Sequence, residues 1–145
     1  MTTVEQKPLL IVWNDSYHTG INICDEQHRG IVSIINSLHF SQSMQSGATF
    51  LRPIAEMIMG YTKFHFSTEI ELLEESGYPR LQEHQNQHEH LITEVNRILA
   101  ACLRDGDDPK LFLNFLKEWL LVHIAREDKA YSAHLMEYFK NQRRP

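Results

Sequence analysis

Five histidines and two carboxylates in this chain fall at helical spacing: His28, His65 with Glu69, His84 with His88, and His123 with Asp128 five residues on. Residues four apart on an α-helix differ by only about 40° around the axis and lie one turn apart along it. Each four-residue pair therefore presents two ligand atoms to one point. Imidazole nitrogens suit iron, copper, nickel or zinc, and a carboxylate can bridge two ions. Seven such ligands are too many for one ion and the right number for two. Any fold that uses them together must bring four separate segments to one place.

The rest of the chain supplies those segments. Breaks fall at Gly47, at Ser76-Gly77-Tyr78-Pro79 and at Asp105-Gly106-Asp107-Asp108-Pro109, where turn formers meet helix starts or stops. Period-two alternation of β-branched residues is scarce, so strands are not expected. Helices are expected over residues 25–44, 49–75, 79–104 and 109–123, with a short fifth over 130–140. Thr49 is the expected cap of the second, Gly77 its left-handed stop, and Asp108 with Pro109 the start of the fourth.

Each helix carries one apolar seam in steps of three and four. The first reads Cys24, His28, Ile31, Ile35, Leu38; the second Ile54, Ile58, Tyr61, His65, Glu69, Leu72. The third reads Leu81, His84, His88, Leu91, Val95, Ile98, Cys102, and the fourth Phe112, Leu116, Trp119, His123. The ligand candidates stand where Leu or Ile would ordinarily be buried. An all-α, antiparallel up-down-up-down four-helix bundle joins the seams. His28 and the His84/His88 pair lie near helix starts, and His65/Glu69 and His123 near helix ends. Antiparallel order puts all four places at one end of the bundle.

Asp128 does not fit an ideal helix, since five residues carry it about 140° away from His123. For it to join the others, the helix must end, tighten or bulge between them, and a π-bulge is one such device.

A single histidine on an apolar stripe is ordinarily a hydrogen-bonded core residue. Five on converging stripes, together with Glu69, would leave many buried polar groups to satisfy without a metal. The ordinary reading stays with His18, His90 and His134, and with His39, which lies about 16 Å along the first helix from His28. Cys24 and Cys102 form no CxxC pair and read as reduced, buried thiols, with a redox role for Cys24 as the alternative. Trp119, Phe66, Ile31 and Ile124 are core residues that would also wall a dry pocket beside an open metal.

At 145 residues and 42% hydrophobic, the chain is expected to form a single domain over residues 1–145, with an N-terminal arm (1–20) leading into the bundle and C-terminal segment (21–142). A net charge of −5 argues against a nucleic-acid partner. The start lacks a signal-peptide pattern, the apolar run at residues 9–13 is too short to span a bilayer, and residues 111–125 are interrupted by polar side chains. A cytoplasmic protein with no membrane partner, and a monomer, is expected.

Beyond the seven positions, the surrounding motifs are specific. They are Trp13-Asn14-Asp15-Ser16-Tyr17 before Thr19-Gly20, Asp25-Glu26-Gln27-His28, His65-Phe66-Ser67-Thr68-Glu69, His84-Gln85-Asn86-Gln87-His88 and His123-Ile124-Ala125-Arg126-Glu127-Asp128-Lys129. Over nearly the whole chain this order resembles the hemerythrins, and most closely the single-domain bacterial ones, the bacteriohemerythrins. Cys24 stands where an aliphatic residue is usual. The resemblance implies two non-haem irons: one held by His84, His88 and His123, the other by His28 and His65. Glu69 and Asp128 would bridge them with a solvent-derived oxo or hydroxo group. The second iron would then be five-coordinate and open to O2, with Ile31, Phe66, Trp119 and Ile124 as the pocket.

Reversible O2 binding for storage, delivery or sensing is the function so implied, without enzymatic turnover. The alternatives are a di-iron enzyme (oxidase, peroxidase or nitric-oxide handling) and an iron-storage protein on the same bundle. The histidine-rich set and the absence of any Glu-x-x-His favour the first reading over ferritin-like enzymes. Sensing would require a separate output protein, and zinc suits two carboxylate bridges poorly.

Overall fold

The seams converge as their period demands. A computed structural model describes residues 8–44, 47–104 and 109–142, and among these there are helices and no strands. The elements are α1 (Asn22–Ser41), α2 (Leu51–Glu75), α3 (Leu81–Arg104), α4 (Lys110–Val122), a π-helical segment (His123–Asp128) and α5 (Lys129–Gln142). Short 3-10 turns cover Asp15–Tyr17 and Gly47–Phe50. Helices α1 to α4 pack as a bundle, α1 on α2, α2 on α3, α3 on α4 and α4 back on α1. The expected cap at Asp108 lies outside the described residues.

Several boundaries move for identifiable reasons. Helix α1 starts at Asn22, earlier than expected, and its cap residue Ile21 offers no side chain to the first turn. Asp25 acts instead from inside that turn. Its carboxylate accepts from the Thr19 N–H and hydroxyl, each at 2.8 Å, and from the Gly20 N–H at 3.2 Å. This ties the N-terminal arm to the helix and places a negative charge at its positive end. Thr49 does not cap α2, because it sits within the 3-10 turn that precedes Leu51. The end of α2 is as expected. Gly77 is left-handed (φ 70°), Tyr78 N–H donates to Leu73 C=O, and Gly77 N–H donates to Glu74 C=O. That pair of bonds is a Schellman stop, and Pro79 follows it.

The largest departure is at the C-terminal side. The fifth helix is not a separate piece, since α4 runs through the π-helical segment directly into α5. The buried face of α2 also includes residues beside the expected seam. Ala55, Thr62, Phe66 and Leu73 are buried, whereas Ile54, Tyr61 and Leu72 are only partly so.

The apolar interior is divided in two. The larger cluster includes Ile31, Ile35, Leu38, Leu51, Ile58, Phe112, Leu116 and Leu120, and extends to Phe66, Trp119 and Ile124. A smaller one joins Ile21, Cys24, Leu73, Tyr78, Tyr131 and Leu135. A fully buried Leu, Ile or Phe contributes about 1.5–3 kcal/mol relative to exposure, so both clusters hold the helices firmly. The polar residues of interest come from the helix stretches that also feed these two clusters.

The candidate metal centre

All seven side chains singled out by spacing come together, and all are buried. Glu69 and Asp128 are 0% exposed and the five histidines 1–5%. Each carboxylate faces two sets of imidazoles. Glu69 Oε1 lies 3.6 Å from His28 Nε2 and in close contact with His65 Nε2, while its Oε2 lies 2.7 Å from His84 Nε2 and 3.4 Å from His88 Nε2. Asp128 Oδ2 is 2.7 Å from His28 Nε2, and its Oδ1 is 3.0 Å from His123 Nε2 and 3.7 Å from His84 Nε2. The donor atoms thus form two groups, each with every atom within 4.8 Å of the others. One is His84, His88, His123, Glu69 and Asp128; the other is His28, His65, Glu69 and Asp128.

Of these close approaches only His84 Nε2 to Glu69 Oε2, at 2.7 Å, is a hydrogen bond. Nε2 of His28, His65, His88 and His123, Oε1 of Glu69 and both carboxylate oxygens of Asp128 are buried with no aligned hydrogen-bond partner. Buried polar atoms left in this way cost about 1–3 kcal/mol each in mutational experiments, and with Nδ1 of His28 and His88 this cluster concentrates nine of them. Nitrogen and oxygen donors that face one another in this arrangement suit metal ions as the missing partner.

The charges are arranged accordingly. Burial alone would raise the Glu69 carboxyl, but His65, His28 and His84 outweigh it and hold Glu69 well below its ordinary value. Burial and the Glu69 charge both raise Asp128, yet His123 and His28 bring it below its ordinary value as well. Burial lowers His28, but Asp128 and Glu69 prevail and hold it at about 9. His123 is likewise raised, by Asp128 against burial. At His88 burial wins and its value is lowered, so this nitrogen is readily neutral.

The local backbone explains how Asp128 arrives. Residues His123–Asp128 are π-helical, and in i→i+5 winding two residues five apart become neighbours. Of the three devices that could reconcile the spacing, the chain uses the bulge. Deleting the exposed Ala125 makes the step four, the same spacing as His84 and His88. That variant is expected to keep the cluster and its metal content. Inserting an alanine after Ala125 swings Asp128 by about 100° and is expected to lose metal. Measured metal content in the reverse order would show that the bulge itself, not the direction of Asp128, matters.

Two contributors escaped the sequence reading. The Gln27 carbonyl accepts from His65 Nδ1–H at 2.7 Å, and the Gln27 amide donates to Thr68 Oγ1 at 3.1 Å. This leaves the His65 Nε2 lone pair aimed at the carboxylates, the usual means of orienting a ligating imidazole. Its only trace in the sequence is a glutamine beside His28 on the same buried turn. The second is Tyr131, fully buried, with its ring edge-on to His84 at 5.5 Å. It packs with Cys24, whose thiol is pushed to about 12 by burial and by the Glu69 charge. A thiol so fully protonated is not a nucleophile, and Cys24 fills space beside the site.

On the opposite side lies an aromatic wall. Phe66 stacks on His88 with centroids 3.6 Å apart and planes 3° apart, and Trp119 meets both the Phe66 edge and the His123 ring. Ile31 and Ile124, each 1% exposed, belong to the same apolar cluster. The remaining histidines lie elsewhere: His18 against Arg29, His39 against the Pro8 carbonyl, His134 against Ser76, and His90 exposed.

Comparison with known proteins agrees with the fold and the residues. The Hemerythrin HHE cation binding domain family matches residues 19–135. A bacteriohemerythrin of Stenotrophomonas maltophilia is 36% identical over 134 residues, covering 89% of this chain and 86% of the relative. One from Pseudomonas aeruginosa is 34% identical over 121 residues, covering 83% and 78%. The crystal structure of a wild-type hemerythrin superposes with a TM-score of 0.76 at 24% identity, over 87% of this chain and 98% of that one. The fold is thus that of the hemerythrin bundle, and its buried cluster could hold metal. The chain belongs to the hemerythrin family.

Proposed function

We propose that the seven side chains hold two non-haem irons and that the protein binds O2 reversibly, for storage, delivery or sensing, without turnover. The observation that carries this is the division of labour at the two carboxylates. Each turns one oxygen to the pair His28/His65 and the other to the trio His84/His88/His123. With Glu69 and Asp128 common to both sides, the pair offers one ligand fewer than the trio. That side is therefore the open one, where an external diatomic can bind. Two ferrous ions there would supply the two electrons that reversible O2 binding requires.

The chain's own residues handle the rest. Gln27 holds His65 so that its Nε2 faces inward. Phe66, Trp119, Ile31 and Ile124 exclude water, which keeps protons and hydrolysis from the site. The protic groups beside it are unusually poor acids, with burial pushing the Cys24 thiol to about 12 and the Tyr131 hydroxyl well above its ordinary value. A histidine-rich set also carries less anionic charge than the Glu-rich sets of ferritin-like enzymes. We read the chain as a monomeric single domain acting in the cytoplasm without nucleic-acid or membrane partners. In support, its net charge is −5 and no helix among the described residues is long and apolar enough to cross a membrane.

The test is optical and analytical. Loaded protein is expected to contain close to two irons per chain and to be nearly colourless when reduced without air. Air should produce visible bands, and removing O2 should erase them with little hydrogen peroxide released. Rapid irreversible oxidation would count against reversible binding, and many turnovers with an added reductant and substrate would favour the enzyme alternative instead.

A further inference from the structure

A cleft of ≈ 590 Å³ between α2 and α3 lies directly outside the aromatic wall, with Phe66 and His88 in its lining. Its other lining residues include Glu71, Glu74 and Glu89, all exposed, together with Gln85. No Lys or Arg lines it, and none of the three carboxylates has an ion-pair partner among the described residues. Yet these carboxylates do not converge on one point as the buried seven do. They form a rim of one sign, not a closed cage. At the inner side stands His88, 95% buried by its 5% exposure, with Nδ1 lacking any hydrogen-bond partner. The same ring reaches Glu69 Oε2 through Nε2, at 3.4 Å. One imidazole therefore spans the distance from the cleft to the buried cluster.

We propose that this cleft is the loading port through which divalent metal ions reach the centre, with Glu71, Glu74 and Glu89 gathering the cation and the stacked His88–Phe66 pair as the passage inward. The inference rests on the reading that the buried cluster holds two irons. Clefts lined by one sign of charge raise the local concentration and arrival rate of the opposite ion. A loose rim suits that task better than a tight site, because the ion must leave it again. The His88 ring is the group that would have to swing to open the floor, and no hydrogen bond at its Nδ1 holds it in place. A second cleft, between α3 and α4, reaches His123 and Trp119 past Glu118 and Glu127. It has fewer carboxylates, and the positive charge of Arg80 adjoins Glu127 across a small recess.

The test uses full-length protein stripped of metal by a chelator and mixed anaerobically with Co2+, whose visible bands report capture by nitrogen ligands. The variants are the triple substitution Glu71→Gln/Glu74→Gln/Glu89→Gln, the single Glu71→Lys, and Glu118→Gln on the other cleft. Helix content by circular dichroism should match in all four proteins, since every substitution is on the surface. At low salt the triple variant is expected to load about tenfold more slowly but to the same final content, and Glu71→Lys to slow loading by itself. Added salt should slow the unsubstituted protein toward the rate of the triple variant, and Glu118→Gln should leave the rate unchanged. An unaltered rate in the triple variant, or equal slowing by Glu118→Gln, overturns the port. The final stoichiometry is read separately: fewer than two ions per unsubstituted chain counts against the two-metal reading, not against the port.

Discussion

Glu69→Ala is expected to empty both metal positions at once. The two oxygens of this carboxylate lie against four imidazoles, His28 and His65 on one side and His84 and His88 on the other. On the two-iron reading, removing it takes an oxygen donor from each metal, and it leaves a void among fully buried groups. It also strips the counter-charge from histidines that burial disfavours in charged form. Breaking a buried pair by deleting one partner costs about 3–5 kcal/mol, so the metal-free variant should melt at a lower temperature as well. Glu69→Gln separates the two effects, because it keeps the volume and one carbonyl oxygen while losing the charge. His28→Ala provides the contrast: it touches only the two-histidine side and should weaken one metal more than the other. Iron analysis, visible absorption and circular dichroism on the three variants check this. Normal iron content and O2 binding in Glu69→Ala would remove Glu69 from its bridging role.

The second large effect concerns the wall and not the ligands. Replacing Trp119 by a smaller residue, or Ile124 by a polar one, is expected to speed irreversible oxidation by about tenfold or more, the scale of many outer-shell substitutions at metal sites. Trp119 packs on the His123 ring and on the edge of Phe66, and Ile124 is 1% exposed in the same cluster. Shrinking either admits water to a site whose neighbouring acids are otherwise held protonated. Iron content should stay near two per chain, because no ligand is lost. Stopped-flow mixing with O2, followed by the decay of the visible bands, measures the change. Unchanged decay in both variants would mean that dryness is set elsewhere.

The di-iron enzyme and the iron-storage protein are the rival readings, and turnover and iron uptake divide them from a carrier. An enzyme would show turnover in the presence of reductant. A store would take up iron well beyond two per chain.

Much of this protein is written in its local sequence pattern. The four seams, the end of α2 at Gly77 and the seven ligand-type side chains follow from helical period and from the special backbone of glycine, which depend on neighbours three and four residues away. That is why His65 with Glu69, and His84 with His88, could be placed on one face each without any knowledge of packing. The α1 start at Asn22 was not legible, because it depends on Asp25 reaching back to Thr19 and Gly20 from inside the helix. Gln27 was missed for a related reason: its partner His65 lies on another helix, and nothing local distinguishes a buried glutamine from an exposed one.

The His123–Asp128 step shows the boundary most clearly. The spacing alone establishes a conflict, since five residues overshoot an α-helical turn, but it offers an end, a tightening or a bulge as solutions. The tertiary structure chooses, because both flanks are anchored. Leu116 and Trp119 are buried in the larger apolar cluster on one side, and Tyr131 and Leu135 in the smaller one on the other. A helix pinned at both ends cannot stop or rotate freely, so the extra residue is absorbed between the anchors as π winding. The side chains were determined by the sequence; the direction in which Asp128 points was decided only when two separate cores fixed the helix around it.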